Sequence, residues 1–285
     1  MGSPLKIGLC QIRIAGEKQA NISKAIHMVR EAAEEGCSLV VLPELFNCPL
    51  EPELFHSFAE SYPGGETLEA LSGAASDERV VLVGGSIPET DGKGSLYNAS
   101  FIFDERGMLL GRHRKVHLFD VDIKGGITFK ESDTISAGNE ITVVRTDFAT
   151  LGVAICYDVR FPEFSRAMVM RGAEILVFPA AFNSTTGPAH WEILMRARAV
   201  DNQVYVLAAS PAAGGKSSYK YYGHSMAVDP WGSVLTEAGA EETLVICEID
   251  IERVYKVRRE LPLLRHMRRK IYEGASDASE QRRFY

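Results

Sequence analysis

Asp147-Phe148-Ala149-Thr150-Leu151-Gly152-Val153-Ala154-Ile155-Cys156-Tyr157-Asp158-Val159-Arg160-Phe161-Pro162 is the stretch on which the fold turns. Residues 151–155 form a short apolar run, the mark of a strand buried on both faces. Cys156 ends the run, a polar turn follows, and Pro162 and Glu163 open a helical stretch. Open α/β sheets place their chemistry at the carboxyl ends of strands. Backbone N–H groups in such a turn can lower a thiol pKa and hold an oxyanion. An inert buried cysteine fits the stretch equally well, so the rest of the chain has to decide.

Upstream, residues 5–11 read as a strand. Asn21 reads as the N-cap of a helix in which Ile22, Ala25, Ile26, Val29, Ala32 and Ala33 recur at helical spacing, with Gly36 as its stop. Residues 38–42 form a second buried strand ending in Pro43-Glu44. This unit recurs. Gly36-Cys37-Ser38-Leu39-Val40-Val41-Leu42-Pro43-Glu44-Leu45-Phe46 lies without a gap on Gly172-Ala173-Glu174-Ile175-Leu176-Val177-Phe178-Pro179-Ala180-Ala181-Phe182. Each copy follows a helix that follows a strand carrying a cysteine. The pattern predicts two related halves about a pseudo-twofold, in one double-layered domain spanning residues 1–285.

Between and beyond the copies, the pattern predicts a helix near 67–77, a strand over 80–87 and a hairpin of 97–103 with 108–114. It then predicts a helix over 188–201, a strand over 203–209, a polar loop at 214–218, a strand pair of 223–229 with 233–237, and a last strand over 243–250. Residues 117–137 read as irregular, and a stretch of that length inside a compact domain is usually functional. Residues 252–272 are basic and read as helical; 276–285 are polar and read as disordered or as reaching onto a partner. Residues 251–285 are therefore expected to form an extension packing at a subunit interface.

Composition narrows the class. The chain has 285 residues, 46% hydrophobic and 24% charged, which is soluble globular composition with ample core material. A net charge of −7 argues against a nucleic-acid partner. No apolar run approaches the ~20 residues of a membrane helix, and the start passes directly into a strand, so no signal peptide is expected. Five cysteines, odd in number and without a Cys-x-x-Cys pair, support neither a disulfide framework nor a zinc knuckle. A cytoplasmic location is expected.

A cysteine nucleophile needs a base and a group that stabilises the oxyanion. None of the seven histidines sits in a recognised cysteine-protease setting. Glu44 closes a buried strand, where desolvation raises a carboxyl pKa toward the working range of a base. Glu131 lies in the irregular segment. Lys115 belongs to the run Arg112-His113-Arg114-Lys115-Val116-His117. Such a run is usually a solvated face, yet a lysine beside a thiolate and a carboxylate would stay protonated and donate to an oxyanion.

Leu42-Pro43-Glu44, His113-Arg114-Lys115-Val116-His117-Leu118 and Ile155-Cys156-Tyr157-Asp158, in that order and each at a strand end, resemble the Glu–Lys–Cys triad of the nitrilase, or carbon–nitrogen hydrolase, superfamily. The resemblance covers nearly the whole chain, and the duplication agrees with that family's four-layer α-β-β-α sandwich. It implies that Cys156 is a nucleophile forming a thioester and that Glu44 takes its proton and later activates water. It further implies that Lys115 and the Tyr157 backbone N–H stabilise the oxyanion, and that Glu131 positions substrate and base. No metal and no organic cofactor is implied, and a homodimer is.

Nitrilases proper carry Cys-Trp-Glu at the nucleophile, where this chain has Cys156-Tyr157-Asp158. With His117-Leu118-Phe119-Asp120 and Phe182-Asn183-Ser184-Thr185-Thr186-Gly187-Pro188-Ala189-His190-Trp191, the chain is similar to the ω-amidase branch. Those enzymes hydrolyse the side-chain amide of short dicarboxylate monoamides such as α-ketoglutaramate. The substrate carboxylate calls for a cation or N–H donors. Arg160 and Thr185 are placed for this, with Tyr157 and Phe182 beside them; alternatively Arg160 braces Asp158. Competing readings are an N-carbamoyl or other small-amide C–N hydrolase, a non-catalytic interaction scaffold, and a thiol redox sensor built on Cys156. The last lacks a resolving cysteine nearby.

Overall fold

The computed structural model describes residues 4–214 and 219–272. Most of the expected loop at 214–218 and the whole tail 276–285 lie outside the described residues. The first half runs β1 (Leu5–Gln11), α1 (Lys18–Glu34), β2 (Leu39–Val41), α2 (Glu66–Glu78), β3 (Val81–Val83), β4 (Ile87–Thr90), β5 (Leu96–Phe103) and β6 (Leu109–Arg114). A small hairpin of β7 (Asp120–Asp122) and β8 (Thr128–Lys130), then a 3-10 turn at Glu131–Asp133, lead into the second half. That half runs β9 (Thr142–Arg145), β10 (Thr150–Val153), α3 (Pro162–Met170), β11 (Ile175–Pro179), α4 (Gly187–Asn202), β12 (Tyr205–Ala209), β13 (Met226–Val228) and β14 (Val234–Glu237). β15 (Thr243–Ile249) and α5 (Glu252–Glu260) follow.

One sheet has the order β15-β1-β2-β3-β5-β4, with β6 on β5; the other has the order β14-β13-β12-β11-β10-β9. In the first sheet β1, β2 and β3 are parallel and β5 is antiparallel to β3. In the second β10, β11 and β12 are parallel and β13 is antiparallel to β12. Register agrees with the sequence duplication: Ile7 stands beside Leu39 as Leu151 stands beside Ile175. The short strands are apolar on both faces because both faces are covered. Ile7, Leu9, Leu39, Val41, Leu151, Val153, Ile175 and Val177 fill the space between the sheets. Val40, Leu42 and Leu82 face α1 and α2, while Leu176, Phe178, Val206 and Ala208 face α3 and α4. The result is the expected four-layer α-β-β-α sandwich of two related halves. Fully burying each such side chain stabilises by roughly 1.5–3 kcal/mol.

Two glycines show why the helices close so tightly. A Cβ on Gly8 would stand 2.9 Å from Ala32 Cβ, and one on Gly152 would stand 3.0 Å from Met168 Cβ. These positions correspond in the two halves, and each lets a helix lie directly on its strand.

Several sequence expectations are corrected. Asn21 does not cap α1. The helix starts three residues earlier, and the buried Asn21 side chain instead clasps Ala15, accepting from its N–H at 2.7 Å and donating to its C=O at 2.9 Å. The strand expected over 80–87 is interrupted after Val83, where Gly85 takes φ +59°, and Ile87–Thr90 then resumes pairing with β5 as a separate strand. The segment 117–137 is not irregular throughout, since it holds the β7–β8 hairpin and the 3-10 turn. The helix expected over 252–272 breaks after Glu260, where Pro262 cannot continue it. No helix among the described residues is long and apolar enough to cross a membrane.

Candidate active site

Four strand ends and one turn converge at the carboxyl edge of the parallel strands. Glu44 follows β2, Lys115 follows β6, Cys156 follows β10, Ala181 follows β11, and Glu131 opens the 3-10 turn. Glu44, Lys115, Glu131 and Cys156 are only 2, 2, 3 and 7% exposed. Lys115 Nζ donates to Glu44 Oε1 at 2.8 Å and lies 2.8 Å from Glu131 Oε2. The second glutamate is held further by the Phe119 N–H, which donates to Oε2 at 2.8 Å.

The basic run 112–117 is not a solvated face, and strand alternation explains why. Arg112 and Arg114 point one way and both pair with buried Glu89, at 2.6 and 2.8 Å. His113 and Lys115 point the other way and are buried. Cys156 takes φ +44°, in the left-handed region that non-glycine residues seldom occupy. That turn presents the sulfur toward Ala181, whose N–H donates to Sγ at 3.5 Å.

Electrostatics follow from one ammonium among two carboxylates and a thiol, all out of water. Burial raises the Glu44 pKa, and the neighbouring Glu131 charge adds to this against the pull of Lys115. Burial alone would lower the Lys115 pKa, but Glu131 and Glu44 outweigh it and hold the ammonium charged. Burial, then the Glu44 charge, push the Cys156 thiol well above its ordinary value. The arrangement thus sets a neutral thiol beside a carboxylate of raised basicity, ready to exchange one proton.

The space at the sulfur is small, about 10 Å³ or room for one water, with Phe119, Phe129 and Tyr219 among its walls. An adjoining cleft joins Cys156 to Tyr157, Arg160, Phe182 and Thr186. The Arg160 guanidinium lies 4.9 Å over the Phe182 ring and 5.6 Å over Tyr157, and its Nη1 lies 3.2 Å from His190 Nδ1. Its Nε is buried without a partner. Thr185 stands apart from this cleft, in an open outer groove of about 600 Å³ shared with Lys130 and Lys220; Phe129 and Tyr219 divide groove from cavity. Arg160 does not brace Asp158. That role falls to His113 and His117, which sequence reasoning had set aside as outside any recognised setting. Asn98, Phe119, Phe129 and Tyr219 were also missed. Strand alternation with Lys115 was the signal available for His113, whereas His117 lies past the end of β6 and carried none. Among the described residues, no group of three or more His, Cys, Asp or Glu side chains is arranged to hold a metal.

The carbon–nitrogen hydrolase family profile matches residues 6–259. The ω-amidase NIT2 of Mus musculus is 47% identical over 270 residues, covering 95% of this chain and 97% of the relative. The ω-amidase NIT2 of Homo sapiens is 46% identical over 267 residues, covering 94% and 96%. Among solved structures, Saccharomyces cerevisiae Nit3, from branch 10 of the nitrilase superfamily, is similar with a TM-score of 0.86 at 39% identity, covering 95% of this chain and 98% of that one. An amidase from Nesterenkonia sp. AN1, bearing the acetamide moiety of fluoroacetamide covalently on its active-site cysteine, is similar with a TM-score of 0.78 at 26% identity, covering 95% and 97%. With the profile and these relatives spanning nearly its whole length, the chain belongs to the carbon–nitrogen hydrolase family.

Proposed function

We propose that this protein is an ω-amidase, hydrolysing the side-chain amide of small dicarboxylate monoamides such as α-ketoglutaramate and releasing ammonia. The observation that carries the reading is the buried cluster of Cys156, Glu44, Lys115 and Glu131 around one cavity. Cys156 Sγ attacks the amide carbon while its proton passes to Glu44. Lys115 and the Tyr157 backbone N–H stabilise the tetrahedral oxyanion, each as a preorganised donor in a dry site. Collapse expels ammonia, which takes the proton from Glu44, and leaves a thioester on Cys156. Glu44 then removes a proton from water as it attacks the thioester; collapse breaks the C–S bond, the Cys156 sulfur takes that proton back from Glu44, and the acid leaves. Glu131 keeps Lys115 charged and positions it throughout. No step calls for a metal or an organic cofactor.

The unpartnered Arg160 Nε, beside Phe182 and Tyr157, supports recognition of the substrate carboxylate at that cleft, with Thr185 at the outer groove. The whole chain acts as one hydrolase domain, in the cytoplasm, where its cysteines stay free. It pairs with a second copy, and residues 251–285 extend it at the shared face. Exposed Ile193, Val200 and Trp231 along α4 and the β13–β14 turn are in keeping with such an apolar face. The test is ammonia release across α-ketoglutaramate, α-ketosuccinamate, glutamine, asparagine, carbamoyl acids and nitriles. The two keto acid amides are expected to lead; a carbamoyl acid in first place would move the activity to another branch of the family.

A further inference from the structure

Asn98 touches both glutamates of the site. It is buried on β5, and its Nδ2 donates to Glu44 Oε1 at 2.9 Å and to Glu131 Oε1 at 3.2 Å. Its backbone C=O accepts from the Lys115 N–H at 2.8 Å, so the lysine strand is pinned to the same residue. Its own Oδ1 is buried with no partner. The reversed amide would set that oxygen against two carboxylate oxygens, which only accept. The glutamates therefore dictate the orientation, and the fold carries an unpaired acceptor to keep the donor there.

The consequence falls on Glu44. Lys115 Nζ and Asn98 Nδ2 both land on Oε1. An oxygen that already takes an ammonium and an amide N–H is the poorer place for a proton. Oε2 takes neither, and the Glu44 carboxylate stands within hydrogen-bond reach of the Cys156 thiol. We propose that Asn98 is a positioning residue for the general base, which with Lys115 engages Oε1 of Glu44 so that the Cys156 proton is delivered to Oε2. This rests on the reading of Cys156 and Glu44 given above. The S–H bond breaks, the sulfur electron pair forms the bond to the amide carbon, and the proton becomes the O–H of Glu44 until the departing nitrogen takes it. The same amide, by donating to both charged carboxylates, opposes the rise that burial imposes on Glu44. The other groups facing Glu44 are Lys115 at the end of β6, Glu131 on the 3-10 turn, Cys156 after β10, and the hydroxyls of Tyr219 and Tyr221 before β13.

The test is the pH dependence of Cys156 alkylation by iodoacetamide, followed by mass spectrometry, in Asn98→Asp. This exchange keeps the shape and removes the amide donor but adds a carboxyl that itself repels Glu44. Asn98→Leu, which removes the donor and adds no ionisable group, is therefore run beside it and must show the same shift. Iodoacetamide reports the thiol and its base without assuming a substrate. The acid limb should move up by about one pH unit or more, with a roughly tenfold slower reaction below it. Because Asn98 acts through Glu44, Asn98→Asp should add less than about threefold to the loss caused by Glu44→Gln alone. An unmoved acid limb in folded Asn98→Asp, or losses that multiply in the double variant, overturns the proposal. Should Asn98→Asp not fold, Asn98→Ser, whose hydroxyl is too short to span both carboxylates, is read by the same criteria. A wild-type Cys156 with no acid limb at all overturns the Cys156–Glu44 reading and this proposal with it. A wild-type limb that Asn98 variants leave in place overturns the proposal alone.

Discussion

His117 is tied to Asp158 at two points: its backbone N–H donates to Oδ1 at 2.9 Å, and its Nδ1 lies 2.7 Å from the same oxygen. The other oxygen, Oδ2, faces His113 Nε2 at 3.1 Å and accepts from the Ile155 N–H at 3.0 Å. The two histidines stand two residues either side of Lys115, and Asp158 stands two residues after Cys156. One buried carboxylate thus ties the lysine segment to the cysteine turn. Burial pushes the Asp158 pKa up, but the two imidazoles and the Ile155 N–H outweigh it and hold the carboxyl well below the usual range.

Asp158→Ala leaves these donors without an acceptor in a dry site. We expect a loss on the order of 3–5 kcal/mol in stability, the cost of breaking a buried charged network. The sign of the pH effect follows from the depressed pKa. The contribution of Asp158 is complete above about pH 4, the ordinary aspartate value, and is lost as pH falls through the depressed folded value. Urea midpoints from pH 7 to pH 3 check this. The wild type should lose stability over the acid end of that range more steeply than Asp158→Asn. Equal slopes, or a wild-type midpoint in Asp158→Ala at pH 7, would sink the clamp.

How much of this was readable in advance depended on periodicity. Buried strands announce themselves as apolar runs, so the duplication around Leu39 and Ile175 and the four layers were legible. Cys156, Glu44 and Lys115 were legible as strand-end residues in a fixed order. Asn98 was not, because a buried amide reads like any polar residue in a strand until its partners, 54 and 33 residues away, are known. β9 (Thr142–Arg145) was missed because four residues with one exposed arginine carry too little pattern. The break at Gly84-Gly85 was hidden for a different reason. Residues 80–87 remain apolar through it, and only the tertiary pairing shows the break, with Ile87–Thr90 rejoining the same edge of β5 that Leu82 and Val83 pair with.

Lys115→Arg tests whether the cation must be compact. The ammonium sits 2.8 Å from each of Glu44 Oε1 and Glu131 Oε2 in a site with room for about one water. A guanidinium keeps the charge but is larger and donates in a fixed fork. We expect kcat to fall at least ~100-fold, the scale of losing an oxyanion donor, while cysteine alkylation still labels a folded protein. Near-normal kcat in Lys115→Arg would show that charge alone suffices and would remove the lysine from the oxyanion.

The last expectation concerns which amides are accepted. Arg160 Nε is buried without an acceptor, and its guanidinium is held between the Phe182 and Tyr157 rings beside the Cys156 cavity. A substrate carboxylate supplies the missing acceptor; a neutral amide of equal length, such as butyramide, leaves the donor unpaired. Leaving a charged donor unpaired in a desolvated site costs on the order of 2 kcal/mol or more, so the acid amide should lead by at least ~30-fold in kcat/KM. Arg160→Ala should narrow that gap by weakening the acid amide and sparing the neutral one. Equal efficiency on both amides in the wild type would exclude carboxylate recognition and describe a general aliphatic amidase instead. A gap that survives Arg160→Ala would clear Arg160 and move the carboxylate to the outer groove, where Thr185 lies with Lys130 and Lys220.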